Sequence, residues 1–312
     1  VIETVFFSAV FFLSFIGVEL LRRWISKREI FDIPNDRSSH TTPTPRGGGL
    51  IIVAVSLGFY ALGSVILPLN FYWSYFIGAI CIALISWFDD LFSISFGWRF
   101  LVHSLAAVLV VWNLGFWQII YIPVLGNIDF GFGGAILTFC WIVWLTNAFN
   151  FMDGIDGIAG LQAVTAGIGW LIIGKILGSD NISIFGGILA LASFGFLLHN
   201  WQPAKIFMGD VGSAFLGYSF AVIPLFFQNE PRFSLSALIG ISLMACFIID
   251  SMMTFTKRLL KREKVWEAHR KHFYQKLVIK GYSHQFVTSI YGFISIIIIT
   301  LLIFWINFQK FD

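Results

Sequence analysis

Apolar residues in this chain fall in long runs with almost no charge inside them, and the polar residues collect in the gaps. Ten runs, at 3–21, 49–67, 72–88, 100–117, 133–148, 158–177, 183–199, 213–228, 235–256 and 287–308, are near the length that crosses a bilayer as helix, about 20 residues for ~30 Å of hydrocarbon. A helix satisfies its own backbone in lipid, so the pattern predicts an all-α fold, a polytopic transmembrane bundle of about ten helices. The runs leave no stretch for a sizeable soluble domain, and 1–312 is read as a single membrane domain. The first run leads into "LLRRW" without a small-residue cleavage site, which makes it the first span rather than a cleaved leader.

Composition excludes a water-soluble globule: the chain is 58% hydrophobic and 12% charged, with a mean hydropathy of +0.84. Charge then assigns the sides. The connections 22–48, 89–99, 149–157, 200–212 and 257–286 share one face and carry 17 of the 20 Lys and Arg residues, so by the positive-inside rule that face is cytoplasmic. Basic residues placed beside spans mark a membrane face, and nucleic acid is not an expected partner. Cys81, Cys140 and Cys246 each stand alone in an apolar run without CxxC spacing, which argues against zinc and disulfides.

The unusual polar sequence lies in the same connections, whereas outer segments such as "GSDN" and "QNEPRFS" are ordinary turns. One stretch, "NAFNFMDGIDGIAG", sets Asn147, Asn150, Asp153 and Asp156 at three-residue spacing between two spans. With Asp89, Asp90 and Asp210 this makes five carboxylates from three connections, a set that repels itself unless a cation joins it. Hard oxygen donors in low number suit Mg²⁺ or Mn²⁺. The alternative is that each Asp caps a helix end. For Asp156, before "GIAGL", capping and catalysis stay equally open; for Asp89 and Asp90 capping is disfavoured, because they end a helix, where the dipole disfavours anions. "PRGGG" and "MGDVGS" offer backbone N–H groups to phosphate, or simply turns ahead of a span. Arg37, His40, Arg46, Arg99, Lys205, His269, Arg270, Lys271 and His272 could neutralise a diphosphate or merely mark the basic side. His103, alone within a span, is given no role. Cation, phosphate and membrane together suggest phosphoryl transfer between a soluble nucleotide donor and a lipid phosphate.

In family order from about residue 32 to 285, "HTTPTPRGGG", "FDDL", "NAFNFMDGIDGIAG", "NWQPAKIFMGDVGSAFLG" and "HRKH" resemble the motifs of the polyprenyl-phosphate N-acetylhexosamine-1-phosphate transferases. The resemblance implies transfer of a sugar 1-phosphate from a UDP-N-acetyl sugar to undecaprenyl phosphate, with release of UMP and Mg²⁺ as cofactor. By the same resemblance Asp210 is the metal ligand, and Asp89 and Asp90 are the acidic pair that orients or deprotonates the lipid phosphate. Asn150, Asp153 and Asp156 match the loop at the nucleotide, Asn200 the Asn before the metal motif, and His269 and His272 the C-terminal histidine motif near the donor. Arg46, Arg99 and Arg270 are expected at the substrates. In the connection Lys257 to His284, Lys257, Arg258, Lys261 and Arg262 read as a lipid-headgroup anchor, and "WEAHRKHFYQKL", whose aromatic, basic and His groups are the types that stack on sugars and pair with phosphate, is expected to contact the donor, with His269, Arg270 and His272 nearest. The implied location is a bacterial cytoplasmic (inner) membrane with the site facing the cytoplasm; a homodimer is left open.

The histidine motif departs from the family's usual HxHH, reading "AHRKHFYQKL". That resembles the branch that starts O-antigen chains, in lipopolysaccharide biosynthesis, on N-acetylfucosamine, N-acetylquinovosamine or N-acetylglucosamine. The enzymatic alternative is the phospho-N-acetylmuramoyl-pentapeptide transferase branch. The non-enzyme alternative is a cation-coupled transporter, which places its ion site near the midplane, whereas beyond Glu3 at the edge of the first run only Glu19 and Asp250 fall inside the runs, both towards the basic end.

Overall fold

Every apolar run is helical in the computed structural model of the protein, which describes residues 1–28, 31–34, 42–228, 230, 232–264 and 269–308. The elements in chain order are α1 (Ile2–Lys27), β1 (Phe31–Asp32), β2 (Thr44–Pro45), α2 (Gly49–Ile66), α3 (Trp73–Phe92), α4 (Phe96–Leu114), β3 (Ile119–Ile122) and β4 (Gly126–Asp129). They continue with α5 (Gly133–Met152), α6 (Ile158–Leu177), α7 (Asp180–Asn200), α8 (Asp210–Val222) prolonged by a 3₁₀ turn (Ile223–Phe227), α9 (Phe233–Leu243), α10 (Ala245–Leu260), α11 (Phe273–Ile279) and α12 (His284–Phe308). Among the described residues nine helices are long and apolar enough to span a membrane, and the bent pair α9–α10 brings the number to ten if it counts as one. The expected helical bundle is therefore present. Two small antiparallel sheets, one pairing Phe31 with Pro45 and the other Ile119 with Asp129, were not predicted, and neither was α11.

The centre of the bundle is α7 and α8, whose spanning windows are 83% and 94% buried against 22% for α1. Helices apolar on every side belong in such a position. α2 meets α8 at Gly49 and Gly212, where a Cβ on Gly49 would collide with the Gly212 backbone. Lipid supplies no hydrophobic force between helices, so close backbone approach at small residues carries the packing.

Three boundaries differ from the sequence expectation, and two of them shape the site. The connection after α3 shrinks to residues 93–95, so Asp89 and Asp90 sit in the last turn of α3 and Arg99 in the first turn of α4. The ninth run is two helices meeting at 73°. No proline causes this bend. Gln162 of α6 donates its amide to the Leu243 carbonyl at the break (2.8 Å) and accepts from Ser295 of α12 (3.1 Å), an insertion of a side chain into the helix ladder. Third, α1 runs on to Lys27, and Glu19 pairs on its surface with Arg22 and Arg23.

The predicted division of connections into two faces holds. At one end the residues around Arg46, Asp89, Asp153, Ala204 and His284 come within bonding distance of one another through the contacts described below. At the other, Tyr121 of the β3–β4 hairpin packs on Trp305, Ser179 bonds Glu230, and Asn181 accepts the Asn70 N–H.

Candidate active site

The site begins with the end of α3 meeting the start of α8. Asp90, with 4% of its side chain exposed, accepts the Asp210 N–H at 3.0 Å and the Val211 N–H at 3.1 Å. These are orphan donors of the first turn of α8, at its positive end. The expectation that Asp90 has no capping role is thus overturned: it ends its own helix and caps another. Arg46 spans Asp90 and Asp210, 2.7 Å from each. Arg99 pairs with Asp89 and reaches the second Asp210 oxygen at 3.2 Å. Both oxygens of Asp210 therefore face a guanidinium.

"PRGGG" does not cradle phosphate in this structure. The N–H groups of Gly47 and Gly48 donate to the Phe207 carbonyl (3.1 and 2.9 Å) and that of Gly49 to the Met208 carbonyl (2.8 Å). This splice holds Arg46 beside Phe207, and its glycines serve backbone approach. The start of α8 in "MGDVGS" is likewise spent on Asp90 rather than free for an anion.

The stretch after α5 forms one wall of a polar cleft of about 170 Å³ lined by Asp32, Arg46, Asn150, Asp153, Asp156, Asn200, Asp210 and His284. Asn150 donates to Ser213 of α8 (2.9 Å). Asp156 does not cap α6, whose N-cap is Gly157. Its carboxylate instead accepts the Ala204 N–H (3.1 Å) and lies 3.2 Å from His284 Nδ1. Asn200 accepts the Gly157 N–H and donates to the Ile206 carbonyl, both at 2.9 Å, so its amide braces two connections. Asp153 differs from these. Among the described residues its carboxylate has no hydrogen bond or ion pair, and burial, with Asp210 next, pushes it up to about 7 against the pull of Arg46.

That raised value has a measurable consequence. Between about pH 4 and 7 the folded protein keeps a proton on Asp153 that the unfolded chain has released, so in metal-free buffer stability should fall as pH rises through this window and level off above it. Asp153→Asn should flatten the slope in a thermal-midpoint series. An unchanged slope in that variant would assign the titration to another group.

A second, apolar cleft of about 380 Å³ runs between α4, α5 and α10, lined by Phe96, Phe100, Phe139, Val143, Trp144 and Phe255, with Asn147, Arg258, His269 and His272 at polar positions. The histidine segment thus lines this cleft and not the polar one. His272 is buried and its Nδ1 lies 3.2 Å from Asp250 Oδ1; His269 stacks on it at 4.9 Å. Burial, with His272 next, holds His269 down to about 4. Arg270 lies half-buried three residues before α11, and Lys271 pairs with Glu263. A narrow gap lined by Arg99, His103, Asn147, Asn150 and Asp210 shares walls with both clefts. Arg37, His40 and 266–268 lie outside the described residues.

The donors fit a hard divalent cation. Asp153 and Asp210 both face the polar cleft, and the unpaired, proton-retaining Asp153 is a carboxylate in want of a positive partner. Among the described residues no group of three or more His, Cys, Asp or Glu could by itself hold a metal ion. Mg²⁺ tolerates that, since it keeps waters and substrate oxygens as ligands. Sequence reasoning missed Asp32 and His284 at this cleft. A histidine opening an apolar run on the basic face was the available signal for the second.

A family profile, glycosyl transferase family 4, matches residues 72–228, which include Asp89, Asp90, Asn150, Asp153, Asp156, Asn200 and Asp210 and leave out Arg46 and α11. The chain is 30% identical over 300 residues to a probable undecaprenyl-phosphate N-acetylglucosaminyl 1-phosphate transferase of Bacillus subtilis, covering 92% of this chain and 82% of that protein. It is 31% identical over 286 residues to a decaprenyl-phosphate N-acetylglucosaminephosphotransferase of Mycobacterium tuberculosis, covering 82% and 71%. A phospho-N-acetylmuramoyl-pentapeptide-transferase of Leuconostoc citreum is 33% identical over 210 residues, 61% of this chain and 63% of its own.

Proposed function

The chain belongs to glycosyl transferase family 4, and on that premise we propose that it transfers an N-acetylhexosamine 1-phosphate from a UDP-sugar to undecaprenyl phosphate and releases UMP. One observation carries the reading. An apolar cleft fit for a prenyl chain and a polar cleft fit for a metal diphosphate share a narrow gap lined by Arg99 and Asp210.

In that arrangement an oxygen of the lipid phosphate attacks the sugar-bearing phosphorus of the donor, and the diphosphate bridge breaks with its electron pair leaving on UMP. Phosphoryl transfer of this sort needs positioning and charge stabilisation more than a protein nucleophile. Arg46 and Arg99 supply positive charge on the two sides of Asp210. Asp90, whose oxygens are committed to two N–H groups and Arg46, holds α8 and Arg46 in place and is not the base. Asp89, paired with Arg99, which lines the gap, orients the lipid phosphate on the acceptor side. Asn150 and Asp156 hold the donor side of the cleft in shape. Asp210 and Asp153 would hold Mg²⁺, which when bound would supply charge neutralisation to the diphosphate.

The relatives named for N-acetylglucosamine align over more of this chain than the pentapeptide transferase does, and Arg270 and Lys271 interrupt the histidine motif. Both favour an N-acetylhexosamine donor and the start of an O-antigen or other envelope polysaccharide. Purified protein with undecaprenyl phosphate and Mg²⁺ should release UMP from at least one of UDP-N-acetylglucosamine, UDP-N-acetylfucosamine and UDP-N-acetylquinovosamine. It should release none from UDP-muramoyl-pentapeptide, and turnover of that donor would overturn the branch.

On this reading the site faces the cytoplasm from a bacterial inner membrane, which the basic connections support. In a background lacking Cys81, Cys140 and Cys246, a cysteine replacing Val124 in the exposed outer hairpin should react with an impermeant thiol reagent in intact cells. Cysteines replacing Ser95 or Ser283 should not. The reverse labelling pattern would invert the orientation and remove access of a cytoplasmic nucleotide.

A further inference from the structure

Asp250 lies in α10, outside both clefts, with 4% of its surface exposed. Its Oδ1 accepts the Phe273 N–H (2.8 Å) and the Thr254 hydroxyl (3.2 Å) and lies 3.2 Å from His272 Nδ1. Its Oδ2 accepts the Tyr274 N–H (3.1 Å) and the Tyr291 hydroxyl (2.6 Å). A buried carboxylate costs several kcal/mol of desolvation unless donors meet it, and here groups from α10, α11 and α12 do. α11 has only seven residues, too few to persist as a helix without tertiary support. Two of its first backbone N–H groups end on Asp250.

What α11 carries points two ways. His272, its N-cap, lines the apolar cleft together with Ser251 and Phe255 from the helix of Asp250 itself. Tyr274 is fully buried and donates its hydroxyl to the Phe151 carbonyl (3.1 Å). The same ring fills the space over Gly154, where a Cβ would collide with the phenol oxygen. Asp153 stands between those two residues. One carboxylate therefore supports a wall of each cleft.

We propose that Asp250 is a positioning residue for the transfer: by seating α11 it holds His272 at the apolar cleft and, through Tyr274, sets the turn that presents Asp153 to the polar cleft. This rests on the reading of the two clefts given above. The side chain touches neither substrate. Its effect is geometric, and misplacement of a reacting group by ~1 Å can cost about 10²-fold in rate.

The test pairs hydrogen–deuterium exchange with kinetics on the full-length protein in lipid nanodiscs. Asp250→Asn should raise exchange at 273–279 and also at 151–157, while α7 and α8 stay protected. Its kcat should fall about 10²-fold with smaller changes in KM for both substrates, and Asp250→Glu should recover part of the loss. Tyr274→Phe keeps the ring and the backbone N–H on Asp250 and removes the bond to Phe151; it should raise exchange at 151–157 more than at 273–279 and lower kcat less. If Asp250→Asn does not fold, Tyr274→Phe decides. Unchanged exchange at 151–157 in the folded variants, or a loss of activity that merely follows the folded fraction, overturns the proposal. Coupled exchange in a wild-type protein that turns over no UDP-sugar would instead leave the positioning role standing and remove the proposed function.

Discussion

Asp210→Asn is expected to lower turnover of UDP-sugar to UMP by about 10³-fold or more, because phosphoryl transfer depends on charge stabilisation fixed in advance at the reacting centre. Asp210 is where that charge is organised. One oxygen faces Arg46 at 2.7 Å, the other Arg99 at 3.2 Å, and the residue borders the polar cleft beside Asp153. The amide keeps the shape and the α8 N–H that Asp90 accepts, so the variant should insert, purify and melt near the wild-type temperature. It should also lose binding of Mn²⁺, read by electron paramagnetic resonance on the purified protein without substrate. Near-normal turnover with Mg²⁺ present would sink the assignment of Asp210 to the metal.

Asp90→Asn should fail differently. Its carboxylate satisfies two backbone N–H groups and one guanidinium while almost wholly buried. An amide offers one acceptor oxygen and turns an NH₂ group towards a backbone N–H of α8, which is then left buried without an acceptor, while Arg46 keeps Asp210. Leaving a buried charge or donor unpaired costs about 2–4 kcal/mol, so this variant should melt at lower temperature as well as lose activity. Asp89→Asn, whose carboxylate pairs with Arg99 and is less buried than that of Asp90, should lose activity with a smaller change in melting. Comparing thermal midpoints of the two variants separates the roles. Equal stability of Asp90→Asn and wild type would show that the cap at α8 is not what Asp90 contributes.

The adjacent acids show how far local reasoning reaches. From the sequence both end an apolar run on the basic face, and both belong to one constellation with Asp153 and Asp210; the structure brings those residues together. Capping was discounted because the dipole of their own helix disfavours anions. That dipole bears on α3 alone, and α8 begins 120 residues further on. Of the two readings of the glycine-rich connections, turns ahead of a span fit and a free phosphate cradle does not. "PRGGG" has the composition of a phosphate loop, yet its donors go to Phe207 and Met208, partners no local rule could name.

The histidine segment was assigned to the donor on the strength of residue types that suit sugars and phosphates. Its actual place on the apolar cleft depends on Asp250 seating α11, and on the bend at Met244 that Gln162 of α6 maintains. Gln162 does not look exceptional in the chain, and Asp250 stands out only as a carboxylate within an apolar run. The meaning of each lies in what faces it.

The sequence by itself determined the spans, the basic face and the gathering of Asp89, Asp90, Asp153, Asp156 and Asp210 at that face, because hydropathy and charge act on each segment separately: a run of apolar side chains seeks lipid, and a lysine-rich connection stays on one side, whatever the rest of the chain does. Tertiary structure alone decided which carboxylate caps, which pairs with arginine and which is left unpaired beside the polar cleft. A buried carboxylate takes its role from donors within about 3 Å, and for Asp90, Asp156 and Asp250 those donors come from elements brought alongside only when the helices pack.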